Sequence, residues 1–282
     1  MMIRMKKYHF IFLLLFFLSC NQDKEKALSY INKAQNLYEN AEYGSAKQVL
    51  DELKITYPKE VSAQKDALNL MRKIEVGEQT RNLAFCDSMI IVLQTEINSL
   101  KSSFLFEKSE YDTSGRYIDK NYNPQPGHAS KYMKIQVNES GDLVLTSVYQ
   151  GTPIKHNQIK VSIPSGEFAE TETIPFDGGN NYSFTDLGVT YELVTFQKGR
   201  DNGVAQFIYN FADKKITLEY LGGKKTSSYV LSEKEKKTLI NSVNFAVALK
   251  ELSQFQIEKE KSEKRLEYLR GKYIEQPGEK TK

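Results

Sequence analysis

The chain has 282 residues, with 39 Lys and Arg against 36 Asp and Glu, a formal net charge of +3. Arg4, Lys6 and Lys7 carry that whole excess within an acid-free first nineteen residues. The rest is neutral, which excludes the basic face of a nucleic-acid protein. Two cysteines exclude a disulfide framework, and three histidines with no Trp argue against a His-rich metal site. Phe10 to Leu18 is an unbroken apolar run, shorter than the about 20 residues needed to span a hydrocarbon core. With cations before it and the small Ser19 after it, residues 1–19 are expected to be a secretory signal peptide.

Phe17-Leu18-Ser19-Cys20 resembles the lipobox of bacterial lipoproteins, with Phe17 where that family usually has Leu. The resemblance implies a diacylglyceryl group on the Cys20 sulfur, a further acyl chain on its amine, and so a stable membrane anchor. Residues 20–26 are then a polar tether. Asn21 stands where, in that family, an Asp would favour inner-membrane retention. The resemblance therefore implies the outer membrane, on its periplasmic face or at the cell surface.

Residues 27–76 carry helical patterning, interrupted at Asn40 to Tyr43 and ended by Tyr57-Pro58. The stretch Ala27 to Glu60 resembles one tetratricopeptide repeat: Ala34, Tyr43 and Ala46 fall on small, aromatic and small positions, with Pro58 as the terminal proline. Leu50, Leu53, Tyr30 and Lys33 depart from that pattern. A generic helical hairpin accounts for the same residues. One hairpin cannot bury its own face.

A partner follows. Leu83, Cys86, Ile90, Leu93, Ile97, Leu100 and Phe104 are spaced 3-4-3-4-3-4, a heptad seam. Gly77 precedes it, so a long helix is expected over 77–103, beginning near Glu78. Residues 232–282 repeat the spacing at Phe245, Ala248, Leu252 and Phe255, then at polar Lys259 and Ser262, then at Leu266, Leu269 and Tyr273. Ser232 and Glu235 form a capping box that starts this second helix, which is expected to pair antiparallel with the first. Cys86 on the seam is expected to be a buried thiol.

Between the two helices, residues 104–231 change to period two. Strands are expected at 132–137, 143–149, 159–163, 190–196, 205–211 and 216–221, with weaker ones at 104–108, 116–119, 166–171 and 227–231. Ser140-Gly141-Asp142, Asn202-Gly203 and Gly222-Gly223 supply turn chemistry. The fold class is α+β: a helical hairpin and a long helix, an inserted antiparallel β-sandwich or barrel, and a C-terminal helix returning to the first long one.

No nucleophile elbow, zinc-protease motif, phosphate loop or dinucleotide fingerprint is present. His128 and His156 are general-base candidates that fit loop histidines better. Glu167, Glu170 and Glu172 fit a solvated strand face better than a glycosidase pair. The stretch 174–184 is the most unusual. Its Asp177, Asn180 and Asn181 could ligate calcium but fit turn capping, and Phe176, Tyr182 and Phe184 could line a binding site. The expected function is therefore a non-enzymatic, lipid-anchored envelope protein that presents a β-rich binding module on a helical stalk. It needs no cofactor or metal, has a lipidation site at Cys20, and meets an envelope protein or glycan. An envelope hydrolase acting on glycan or peptide, or an outer-membrane assembly factor, are the alternatives.

Overall fold

The computed structural model describes residues 6–111, 113–124, 129–223 and 225–274, with side chains from Gln22 to Gly271. His128 lies outside the described residues, as do the first five residues of the signal segment. The chain forms two compact units, one of Met1–Ser88 with Gln256–Lys282, the other of Met89–Phe255.

In the first unit, α1 (Lys6–Glu39) is one continuous helix, so the polar residues 20–26 are helical. Asn36 to Tyr38 accept the closing backbone bonds, and Ala41 takes the left-handed conformation (φ 58°) that reverses the chain. α2 (Tyr43–Thr56) returns and stops before Pro58. Ala27, Ala34, Ala46, Leu50 and Leu53 are buried between them, and Tyr30 meets Tyr57 edge-on at 5.8 Å. The hairpin's open side is closed by Ala63, Ala67, Leu70 and Ile74 of α3 (Val61–Lys101).

α3 therefore begins at Val61, not near Glu78, and runs through Gly77 unbroken. A β-carbon at Gly77 would sit 3.0 Å from the Tyr43 ring. The glycine admits an aromatic ring; it does not end a helix. Its cost in helix propensity is about 1 kcal/mol, small against a helix 41 residues long.

The seam pairs as expected. α5 (Glu233–Ile274) returns along α3, with Cys86, Leu93 and Ile97 buried on α3 and Phe245, Ala248, Leu266 and Leu269 buried on α5. The two polar seam positions are matched: Lys259 to Asp87 at 2.6 Å, and Asn82 to the Ser262 hydroxyl at 2.7 Å. Burial pushes the Cys86 thiol pKa up, and the nearby Glu258 and Asp87 carboxylates add to it. The thiol is thus held neutral. The capping box is also formed: Ser232 accepts from the Glu235 N–H, and Glu235 accepts from the Ser232 N–H and hydroxyl. The same carboxylate accepts from the Met133 N–H and the Tyr229 hydroxyl. It covers part of β3 that its neighbour strand leaves unpaired.

The second unit carries two antiparallel sheets. The larger is ordered β1 (Phe104–Glu107), β2 (Arg116–Asp119), β3 (Lys131–Asn138), β4 (Leu143–Gly151), β8 (Val189–Phe196), β7 (Asn181–Asp186). The smaller is ordered β10 (Ser227–Val230), β9 (Thr217–Gly222), β5 (His156–Ser162), β6 (Phe168–Glu170). Met133, Ile135, Leu145, Val194 and Phe196 of the first share one core with Ile159, Val161, Leu218 and Tyr220 of the second. The module is a sandwich.

Residues 205–211 form no strand. Residues 205–210 lie in α4 (Val204–Asn210) with Phe211 as its C-cap, and the helix is started by Gly203 in the left-handed region and by Asp201, whose carboxylate accepts from the Ala205 N–H. Val204, Ala205, Phe207 and Ile208 are buried on one face. Such a short apolar run fits either period, and helical spacing prevails here.

Candidate functional site

The site begins at β8. Its inward positions are Glu192, Val194 and Phe196, so a carboxylate occupies a core register. Register places Glu192 opposite Tyr149 of β4 and Ser183 of β7. From the other sheet, the chain enters β5 through Lys155, at a φ of 55°, which a non-glycine residue seldom adopts. Gly222 allows this approach, because a β-carbon there would lie 2.3 Å from the Lys155 carbonyl oxygen.

That turn aims three backbone N–H groups at one carboxylate. Glu192 Oε1 accepts from Ile154 N at 2.9 Å and Lys155 N at 2.8 Å, and Oε2 from His156 N at 3.1 Å. His156 Nδ1 donates to Oε2 at 3.0 Å. Its Nε2 lies 2.9 Å from the Ser147 hydroxyl on β4, and that hydroxyl also reaches the Val194 carbonyl oxygen at 3.4 Å. Burial pushes the Glu192 pKa up. The bonds from His156 and the backbone N–H groups, with the His156 charge, outweigh burial and hold it below the usual carboxylate range. Tyr220 packs edge-on against the imidazole at 5.0 Å and donates to the Val148 carbonyl at 2.8 Å.

Serine, histidine and glutamate thus form a hydrogen-bonded chain in the order of a nucleophilic triad. Access separates it from one. Ser147 is 0% exposed, and His156 and Glu192 are 2% and 4% exposed. A cleft of about 370 Å³ reaches His156 and Glu192, but Ser147 is not on its wall. A substrate carbonyl in that cleft meets the imidazole and carboxylate, whose polar atoms are already bonded, before it meets the hydroxyl.

The cleft is also lined by Lys155, Asn157 and Ser183 and by Phe176, Asn181 and Tyr182, the last three being binding candidates from the unusual stretch. Phe176 is 71% exposed at the mouth. Asn181 is buried and donates to the Ile174 carbonyl at 2.8 Å. The other candidates lie elsewhere. Asp177 caps the turn, accepting from the Gly179 and Asn181 N–H groups at 2.9 Å each, and those bonds hold its pKa down at about 2, the Asn181 bond foremost. Asn180 borders a separate groove. Phe184 stacks on Tyr191 at 4.9 Å, on the sheet face turned away from the second sheet.

His156 is therefore no loop histidine; it is the centre of the site. Glu170 pairs with Lys160, both half-buried, and exposed Glu172 pairs with Arg200. Among the described residues no group of three His, Cys, Asp or Glu is placed to hold a metal. Sequence reasoning missed Ser147 and Glu192. The available signal was Glu192 on the same strand face as Val194 and Phe196, a charge in a core register that requires a built partner. Comparison with protein-family models, with curated proteins and with solved structures finds no match to this chain.

Proposed function

We propose that this is a lipid-anchored protein of the cell envelope, held at the outer membrane through Cys20, whose β module binds a ligand or partner without chemical conversion. The observation that carries the binding reading is the cleft. It has exposed Phe176 on its wall beside β7, and a floor where the polar atoms of His156 and Glu192 are already bonded. An apolar wall with a few fixed polar groups is the usual constitution of a ligand site. On that floor His156 and Glu192 are bonded to each other rather than to a free nucleophile on the cleft wall, which supports binding over turnover.

The test compares capture by the full chain in solubilised envelopes with capture by a Phe176→Ala variant. A folded variant that loses the captured species supports the cleft. Equal capture by both removes it.

One observation favours a second reading, an envelope hydrolase: the Ser147–His156–Glu192 distances suit acyl transfer. Treatment with a fluorophosphonate ester decides between the two. Labelling at Ser147 that is lost in Ser147→Ala would make the protein a hydrolase. An unlabelled serine leaves the binding reading.

A further inference from the structure

Strand β7 ends the six-stranded sheet, and its free edge borders the cleft through Asn181, Tyr182 and Ser183. The Thr195 N–H donates to the Asn180 carbonyl at 2.7 Å, which sets the phase of the β7–β8 ladder. In an antiparallel ladder hydrogen-bonded and non-bonded pairs alternate. Tyr182 opposite Leu193 and Phe184 opposite Tyr191 are therefore bonded pairs. The backbone groups of Asn181, Ser183 and Thr185 turn the other way, out from the sheet.

That edge is closed at one end and open at the other. At Asn181 the Asp177 turn takes both groups: the N–H donates to Asp177 Oδ1 at 2.9 Å, and the carbonyl accepts from the Asp177 and Gly178 N–H groups at 3.3 and 3.1 Å. Ser183 and Thr185 are exposed, and their outward N–H and C=O groups meet no partner among the described residues. No Lys, Pro or bulge blunts this stretch, although solvent-facing edges are usually blunted in one of those ways. Two other edges are covered: the Asn202 amide donates to the Glu170 carbonyl of β6, and the Lys131 ammonium to the Ser228 carbonyl of β10.

A row of alternating donors and acceptors fits another extended backbone. A strand laid along Ser183 and Thr185 turns the side chain opposite Ser183 into the cleft and the side chains on either side of it to the outer face. In the cleft that side chain meets Lys155, whose ammonium has no partner among the described residues, whereas the Glu192 carboxylate beside it is already bonded four times. The charge complement is an acid. On the outer face the flanking side chains lie beside Tyr182 and exposed Phe184, whose rings stack at 6.4 Å, and aromatic residues pair well with β-branched ones across strands.

We infer that the β7 edge takes up an extended peptide segment of a partner protein as a further strand, with an acidic side chain in the cleft and β-branched side chains outside. Backbone bonds supply the attraction and the alternate side chains the selectivity. The inference rests on the reading of the cleft as a binding site and names the class of its ligand.

The test is fluorescence anisotropy of labelled, end-capped heptapeptides with the full chain in detergent. The probes are Ser-Thr-Val-Glu-Val-Thr-Ser and its counterparts with Gln or Lys at the centre. The Glu peptide should bind about fivefold more tightly than the Gln peptide, the reach of an exposed ion pair, and the Lys peptide should bind more weakly still. Two N-methylated Glu peptides examine the backbone, one methylated at its valines and the other at its glutamate and threonines. Only alternate N–H groups face β7, so one of the two should lose at least about tenfold and the other should bind as before. Loss by the glutamate set marks antiparallel addition, and loss by the valine set marks parallel addition. Thr185→Pro removes an outward N–H and no bond to β8, so it should melt close to wild type and lose at least about tenfold in affinity. Lys155→Gln should abolish the preference for Glu over Gln. If Thr185→Pro does not fold, the methylated pair decides on the unaltered chain. No binding of the Glu peptide, equal binding by both methylated peptides, or unchanged affinity in folded Thr185→Pro overturns the inference. So does a dimer of this chain that Thr185→Pro dissolves, because a second copy then holds the edge. If the inference falls while Phe176→Ala still loses its captured species, the cleft remains a site for another class of ligand. If the peptide results stand while Phe176→Ala captures normally, the edge stands and capture through Phe176 falls.

Discussion

At the scale of single residues, Glu192 decides more than any other side chain. It receives four hydrogen bonds and ties β8 of one sheet to the turn entering β5 of the other. Glu192→Ala leaves three backbone donors and His156 buried without an acceptor, and should cost about 3–5 kcal/mol at neutral pH in a denaturant melt. A loss below about 1 kcal/mol would mean that water satisfies those donors. The pH dependence has a definite sign. A carboxylate whose folded pKa lies below its ordinary value of 4.5 contributes its full stabilisation above that value. The contribution is lost as pH falls through the lowered one. The gap between wild type and Glu192→Ala should therefore be widest above pH 4.5 and close under acid. A gap that widens on acidification would reverse the assignment. Ser147 separates structure from chemistry. As one link of the buried chain, Ser147→Ala should cost about 1–3 kcal/mol, the penalty for an orphaned buried partner, and leave cleft binding intact. This part of the site was legible only in part. Asn181, Tyr182 and Phe176 stood out as a peculiar local stretch. Glu192 meets His156 across 36 residues, and no local spacing announces a contact made by two sheets closing.

At the scale of elements, the periodic signals served best where they ran longest. The heptad seam over three repeats located the paired stretches of α3 and α5 and even the polar break, since each polar seam residue finds its counterpart. Turn chemistry located most strands of the sandwich. Three features escaped for physical reasons. Gly77 serves tertiary contact with Tyr43, so it marked no helix start. Residues 204–210 are too few for periodicity to separate helix from strand. β7 breaks alternation because it is an edge strand whose residues after Asn181 are largely exposed on both faces. The seam itself is testable. Leu93 is 3% exposed on α3, and Leu93→Asp places an unpaired charge in an apolar seam, so it should cost more than about 3 kcal/mol. Leu252 is only half-buried against the Phe104–Phe245 cluster, and Leu252→Asp should cost visibly less. Equal melting temperatures for Leu93→Asp and wild type would show that the seam is not load-sharing.

At the scale of the whole molecule, the proposed anchor at Cys20 would have to be compatible with folding, and the first unit bears on how. α1 runs unbroken from Lys6 to Glu39 and includes Cys20. Among the residues whose side chains are described, burial in the hairpin core starts at Ala27, and Gln22 to Lys26 are exposed. Cleavage before Cys20 would therefore shorten α1 on its signal side without removing any described core residue. The helical residues between Cys20 and Ala27 would connect the anchor to the hairpin. Two results follow. Cys20→Ala should release the protein into the soluble fraction or leave an uncleaved precursor, because removing the one thiol that would carry the diacylglyceryl group removes the anchor. A chain beginning at Asn21 should melt within the error of the anchored protein, because Ala27, Ala34 and their partners on α2 and α3 are all retained. Mass spectrometry of the mature N-terminus checks the first, and an unmodified Cys20 there would end the anchoring proposal. A chain from Asn21 that melts well below the anchored form would show that residues before it belong to the folded core, and cleavage at Cys20 would then no longer fit the fold.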